Sequence, residues 1–244
     1  RLLQMHFEAR VGHIGGNLSA LDAMLLIHRH FMSDDDLFVL SKGHAAGALY
    51  VSLWSRGELT DDQLRTFHKD DSQLSGHPAA GWHRGVRFAT GSLGHGAGLA
   101  AGCAMGRRLL EKKGRVYCLL SDGECQEGST WEALTFIAHH GLDNVTLLVD
   151  QNGLQGFGST QEIASQGPLG PRLSTLGFET AVVDGHDPAA LHAVLASPPQ
   201  KPHVVVLKTT KGHGVSFMAD RMEWHYLPMS EAQYHDAVRE ISAA

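Results

Sequence analysis

Between Val116 and Leu207, four short and almost unbroken apolar runs alternate with stretches whose apolar residues recur every three or four positions. The runs are Val116–Leu120, Val145–Val149, Phe178–Val183 and His203–Leu207, and helical spacing fills the segments near Ser129–His140, Pro171–Leu176 and Pro188–Ala196. Strands without polar alternation must be covered on both faces, so the pattern predicts an α/β fold: a mostly parallel central sheet with helices on both faces. Nearer the start, Leu18–Phe31 has helical spacing with Asn17 or Ser19 as its candidate cap. Leu37–Leu40 is a short apolar run, a second helical stretch reaches about Trp54, and Thr60-Asp61-Asp62-Gln63 reads as a capping box. The first residues (Leu2, Leu3, Met5, His6) open as though inside a helix, which predicts a longer natural N-terminus. From Asp70 to Gly91 the chain is rich in Gly, His and Ser without a period, which predicts a long functional loop.

Composition narrows the class. With 244 residues, 43% apolar and 19% charged, the chain suits one globular core. Neither an internal repeat nor a Ser/Pro-rich linker is visible, so residues 1–244 are expected to form a single domain. A net charge of −6 gives no footprint for nucleic acid and no attraction to an anionic membrane. The most apolar stretch, Leu93–Leu110, carries His95, Arg107 and Arg108 and makes a poor membrane span. Cys103, Cys118 and Cys125 form neither a disulfide framework nor a zinc cluster, which fits reduced thiols in a cytoplasmic protein. Within the apolar stretch, Gly94, Gly98, Gly102 and Gly106 recur every four residues, for which close packing against the sheet layer is expected.

The chemistry concentrates where strands end. Val116–Leu120 runs into Ser121-Asp122-Gly123-Glu124, and Val145–Val149 runs into Asp150-Gln151-Asn152-Gly153-Leu154. In open α/β sheets, ligands sit at the carboxyl ends of the strands, where helix N-termini offer amides to anions. Asp122 and Asn152 should stand side by side there. A carboxylate, an amide oxygen and a backbone carbonyl such as that of Leu154 suit a hard divalent cation completed by phosphate and water. An apolar strand ending in Asp-Gly is a common turn and weak evidence alone; the pair, 30 positions apart, is stronger.

This pair resembles the thiamine-diphosphate signature, Gly-Asp-Gly followed about thirty residues later by Asn, in its transketolase version. One departure is Ser121 in place of the first glycine. The resemblance extends in order through Gly12-His13-Ile14-Gly15-Gly16, Ser41-Lys42-Gly43-His44-Ala45, Ser75-Gly76-His77-Pro78, Thr90–Gly96, Lys211–Met218 and Glu223-Trp224-His225-Tyr226. It implies a thiamine-diphosphate-binding fold with Mg2+ (Ca2+ or Mn2+ as substitutes) on Asp122, Asn152 and the Leu154 carbonyl. Gly91, Ser92, Leu93, Gly94, Ser121, Gly123, Glu124, His44 and His225 would join Asp122, Asn152 and Leu154 around the cofactor. His13, His44, His77 and His225 would act on substrate oxygens, a task for which imidazole is suited at neutral pH. Glu127, and more remotely Glu132, would belong to an acidic network between two active sites. The family's activating glutamate lies on a pyrimidine-binding domain, which is expected on a partner chain together with the C-terminal domain, in an α2β2 assembly acting on sugars or sugar phosphates.

Two further departures bear on substrate. His68 stands where the pattern has an arginine, and His213 where a lysine is common. Other readings stay open at this level: a 1-deoxyxylulose-phosphate synthase-like or 2-oxoacid-decarboxylating subunit, or a non-catalytic scaffold. For a lone loop histidine a structural role is the better expectation, and it is the one given to His6, His28, His30, His139, His140, His192 and His235.

Overall fold

The computed structural model describes residues 1–197 and 199–243. In chain order its elements are α1 (Leu2–Ala9), α2 (Ile14–Leu26) with a π-helical turn over Ile27–Phe31, β1 (Leu37–Leu40), α3 (Ala46–Ser55) and α4 (Asp61–Leu64). There follow α5 (Gly96–Leu109), β2 (Val116–Ser121), α6 (Gly128–His139), β3 (Val145–Gln151), α7 (Thr160–Ala164), α8 (Leu169–Thr175), β4 (Glu179–Asp184), α9 (Pro188–Ala196), β5 (His203–Lys208) and α10 (Glu231–Ala243). The strands form one sheet in the order β1-β2-β3-β5-β4. Every neighbouring pair is parallel.

Burial follows the apolar pattern. β2 is buried at every position and β3 at all but its last, whereas the edge strand β4 alternates with solvent. Successive side chains point to opposite faces, and the two faces sort into separate cores. Phe38, Leu40, Leu119, Leu148 and Val205 pack with α1, α2 and α3. Val39, Cys118, Leu120, Leu147 and Val206 pack with α5, α6 and α8. Among the described residues no helix is long and apolar enough to cross a membrane, and all three cysteines are free. The Thr60 capping box forms, with both reciprocal hydrogen bonds.

Three sequence expectations are corrected. Helix α2 begins at Ile14, with His13 as the residue before it. Asn17 and Ser19 are therefore fully buried inside the helix. The Asn17 amide donates to the His13 and His44 carbonyls at 2.8 and 2.9 Å and accepts from the Ala48 N–H at 2.8 Å. Tertiary partners, and not a helix end, are what these polar side chains serve. The glycine row of α5 also faces the other way: Gly98 and Gly102 are exposed, and an added Cβ at Gly102 or Gly106 would meet open space. The alanines of that helix (Ala97, Ala100, Ala101, Ala104) are the side packed on the sheet.

Candidate active site

Strands β1, β2, β3 and β5 deliver their carboxyl ends to one cleft beside the start of α2. β2 hands over at Asp122, whose buried carboxylate accepts from the Gly123 N–H at 2.8 Å and the Gly153 N–H at 2.7 Å. Burial, with Asp150 nearby, pushes this carboxyl up to about 6 against the pull of those two N–H groups. After β3, Asn152 turns its Oδ1 to accept from the Leu154 N–H at 3.0 Å. Its Nδ2 faces Asp150 Oδ2 at 3.3 Å and Ser19 Oγ at 3.5 Å. The Leu154 carbonyl lies 3.4 Å from the Lys211 ammonium. Ser121 closes β2 in extended conformation, so it meets its position without a positive φ.

Behind this wall sits a buried ion pair that the sequence motifs did not single out. Asp150 Oδ2 accepts from Lys42 Nζ and, at 2.7 Å, from Ser19 Oγ, while Oδ1 accepts from Thr209 Oγ1. Burial alone would raise the Asp150 carboxyl, but the Lys42 ammonium and these hydrogen bonds outweigh it and hold it below the usual carboxylate range. The available signal was an acid inside an otherwise apolar strand: a buried charge requires a partner, and Lys42 follows β1 in the Ser41-Lys42-Gly43-His44 segment.

The opposite wall is made of imidazoles. His13 lies 5.6 Å from His44, 5.7 Å from His77 and 4.9 Å from His225, centroid to centroid. Thus four histidines spread over more than two hundred positions meet at one place. Burial, reinforced by His77 and Lys211, lowers His13 to about 4. Burial and then Lys211 lower His225 to about 3, and burial takes His44 well below its ordinary value and His77 down as well. In each of the four, burial thus favours the neutral imidazole. His225 Nδ1 lies 3.0 Å from Lys211 Nζ, and burial beside Lys42 brings Lys211 down to about 8. Gly16 permits this convergence, since a Cβ there would sit 3.3 Å from the His44 ring.

A cavity of about 150 Å³ opens between the walls. Of the residues expected at a cofactor, His44, Leu93, Ser121, Asp122, Gly123, Asn152, Leu154 and His225 line it. Gly16, Gln155, Gly156, Phe157, Lys211 and Tyr226 line it without having been anticipated. Gly91 and Ser92 are exposed outside it, as are Glu127 and Glu132. Two expectations are corrected. The Gly94 N–H donates to Glu124 Oε1 at 2.8 Å and is spent inside the protein. The fully buried Glu124 carboxylate accepts from Ser41 Oγ and from the Ser121 N–H as well, so it ties β1, β2 and the start of α5 together and turns away from the cavity.

Another cluster of ligand-type side chains, Asp22, His186 and His213, lies on the same edge. Thr210 N–H donates to His186 Nε2 at 2.9 Å, which puts the ring proton on Nδ1, 2.8 Å from Asp22 Oδ2. Both nitrogens are engaged, and the His213 ring stacks on that imidazole at 3.5 Å. The cluster braces the segment preceding Lys211 against α2.

The donor set fits a cation-bound diphosphate: oxygen donors on one wall, and Lys211 with neutral imidazoles on the other. Residues 7–242 match the family described as transketolase, thiamine diphosphate binding domain. The chain is 37% identical to one of the subunits of the apulose-4-phosphate transketolase of Actinobacillus succinogenes, over 88% of this chain and 82% of that protein. It is 34% identical to the equally named protein from Phocaeicola vulgatus, over 99% and 90%. The transketolase structure from Campylobacter jejuni superimposes with a TM-score of 0.91 at 28% identity, over 99% of this chain and 41% of that one. The chain therefore spans about two fifths of such a transketolase. By sequence and by fold, it belongs to the transketolase family, in which it represents the thiamine-diphosphate-binding domain.

Proposed function

We propose that this chain is the diphosphate-holding subunit of a two-chain transketolase, transferring a two-carbon ketol unit from a ketose, free or phosphorylated, to an aldehyde or keto-sugar acceptor. The observation that carries this reading is that Asp122, Asn152 and Leu154 line one cavity with His44 and His225, while the His13 ring packs against both of those imidazoles and against His77 just outside that lining. The three oxygens would hold Mg2+, a cation that accepts few protein ligands and fills its shell from phosphate and water. Lys211, His44 and His225 would meet the anionic end of the cofactor. Bound thiamine diphosphate supplies the carbon nucleophile and the electron sink. His13 and His77, both biased toward the neutral form by burial, would accept or donate protons at the hydroxyl and carbonyl oxygens of the sugar. His44 and His225 reach the same space.

Coverage of most of two relatives that are each named as one subunit of a transketolase supports a partner that brings the pyrimidine-binding half, in an α2β2 assembly. Free cysteines accord with a cytoplasmic setting. Mixing the chain with a complementing subunit, thiamine diphosphate and Mg2+ should produce glycolaldehyde transfer from a ketose phosphate, with apulose-4-phosphate among the donors tried. Full activity of the chain without a partner, or release of carbon dioxide from pyruvate in place of transfer, would overturn the proposal.

A further inference from the structure

An asparagine that serves a cation must present its oxygen, yet its carboxamide has nearly the same shape with oxygen and nitrogen exchanged. In the exchanged orientation Asn152 would aim two N–H donors at the cation and repel it. Something in the protein must choose between the two. The Leu154 N–H supports the oxygen from one side at 3.0 Å. On the other side, the only strong acceptor beside Nδ2 among the described residues is the Asp150 carboxylate at 3.3 Å, with Ser19 Oγ at 3.5 Å.

We propose that Asp150 is a positioning residue whose carboxylate captures the Asn152 Nδ2 group and so fixes Oδ1 toward the cation. This rests on Asn152 being a cation ligand.

The placement of Asp150 suits the task. It lies in β3, paired with Ser121 of β2 and Leu207 of β5, so its backbone is held from both sides. It shares a face with Leu148, and so points toward α2. Ser19, Lys42, Thr209 and Asn152 all donate to its two oxygens, which is about as many donors as a carboxylate accepts. Such a carboxylate has no freedom to turn. Lys42 also donates to the Gly16 carbonyl at 2.9 Å, tying the same anchor to the first turn of α2. Lys42 therefore balances a charge that would otherwise be buried alone, and Asp150 passes the resulting rigidity to Asn152.

A buried ion pair exchanged for apolar side chains of similar volume often keeps a protein folded, which separates positioning from mere structure. In the complex of the full chain with its complementing subunit, Lys42→Met/Asp150→Leu should melt near the parent. Its Mg2+ half-saturation for thiamine-diphosphate binding, read calorimetrically, should rise about 10- to 100-fold, as for other outer-shell partners of metal ligands. A folded double variant with parental Mg2+ half-saturation would overturn the proposal. A second measurement needs neither cation nor variant stability: the Asn152 side-chain amide protons of the 15N-labelled parent chain. They are expected to exchange with solvent much more slowly than those of an exposed asparagine, because Nδ2 is held by the Asp150 carboxylate, and exchange at the exposed rate would overturn the proposal. Asp122→Asn and Asn152→Ala identify the other failure. If both leave the Mg2+ requirement unchanged, the cation-site reading itself is lost, whatever the amide protons show.

Discussion

On the Asp122 and Asn152 wall, carboxylate and amide oxygens already accept backbone N–H groups, and Asn152 nitrogen already has an acceptor. Across the cleft, the His13 ring packs among those of His44, His77 and His225, and His13 Nδ1 is buried without a hydrogen-bond partner among the described residues. One wall is satisfied and stiff, while the other holds unused donor and acceptor capacity. The difference matches two tasks. A cation and diphosphate have one fixed geometry, for which preset ligands avoid reorganisation. A sugar changes its protonation pattern during transfer, which calls for groups able to donate or accept.

The contrast can be broken by substitution. Asp122→Asn in the reconstituted enzyme should lower transfer by more than about 100-fold, because even outer-shell partners of metal ligands are worth 10–100-fold. Replacing His13 or His77 by Ala should cost about 10- to 100-fold, at the lower end of acid–base effects, because neighbouring imidazoles remain. Steady-state kinetics at saturating Mg2+ checks both, and a histidine variant costing more than Asp122→Asn would reverse the ranking.

Acid should separate the walls in stability. His6 and His28, buried and lowered to about 4 chiefly by desolvation, are neutral in both folded and unfolded states above pH 6.5. Below it the unfolded chain takes protons that the folded chain refuses, so stability falls progressively down to pH about 4. Each contributes at most about 3 kcal/mol to this loss. His13 and His225 add to it with the same sign. Asp122 opposes it, since the folded carboxyl protonates from about 6, above the ordinary 3.8. Urea midpoints between pH 7.5 and 4.5 should therefore decrease, and His28→Gln should flatten the slope. A smaller effect sharpens the electrostatic link between the walls: Lys211→Met should raise the His225 pKa, visible in imidazole NMR titrations, because burial and then Lys211 are what depress it. The smallest effect lies outside the cleft, where Gly102→Ala on the exposed face of α5 should stabilise the chain by about 0.5–1 kcal/mol in urea denaturation.

Much of this architecture was legible in the chain. Continuous apolar runs such as Val116–Leu120 gave buried parallel strands because only a doubly covered strand escapes polar alternation. Strand β3 extends to Gln151, past the expected end at Val149, because pairing with β5 continues through Asp150 and Gln151. The α5 glycines misled because their four-residue spacing marks one helix face without saying which way that face points; the alanines occupy the packed side. Asn17 and Ser19 resembled caps because small polar residues favour helix ends, but buried partners on α3 and β3 claimed them.

By itself, then, the sequence determined the fold class, the pairing of Asp122 with Asn152 and the set of four histidines, all of which depend on local pattern or on the order of motifs. Only the tertiary structure decided that Gly94 and Glu124 spend their polar groups on each other, that Lys42 neutralises Asp150, and that Lys211 reaches His225. The physical reason is distance along the chain: Lys42 and Asp150 are 108 positions apart. A charge buried in a strand announces that it needs a partner, but the sheet order β1-β2-β3-β5-β4 is what supplies one.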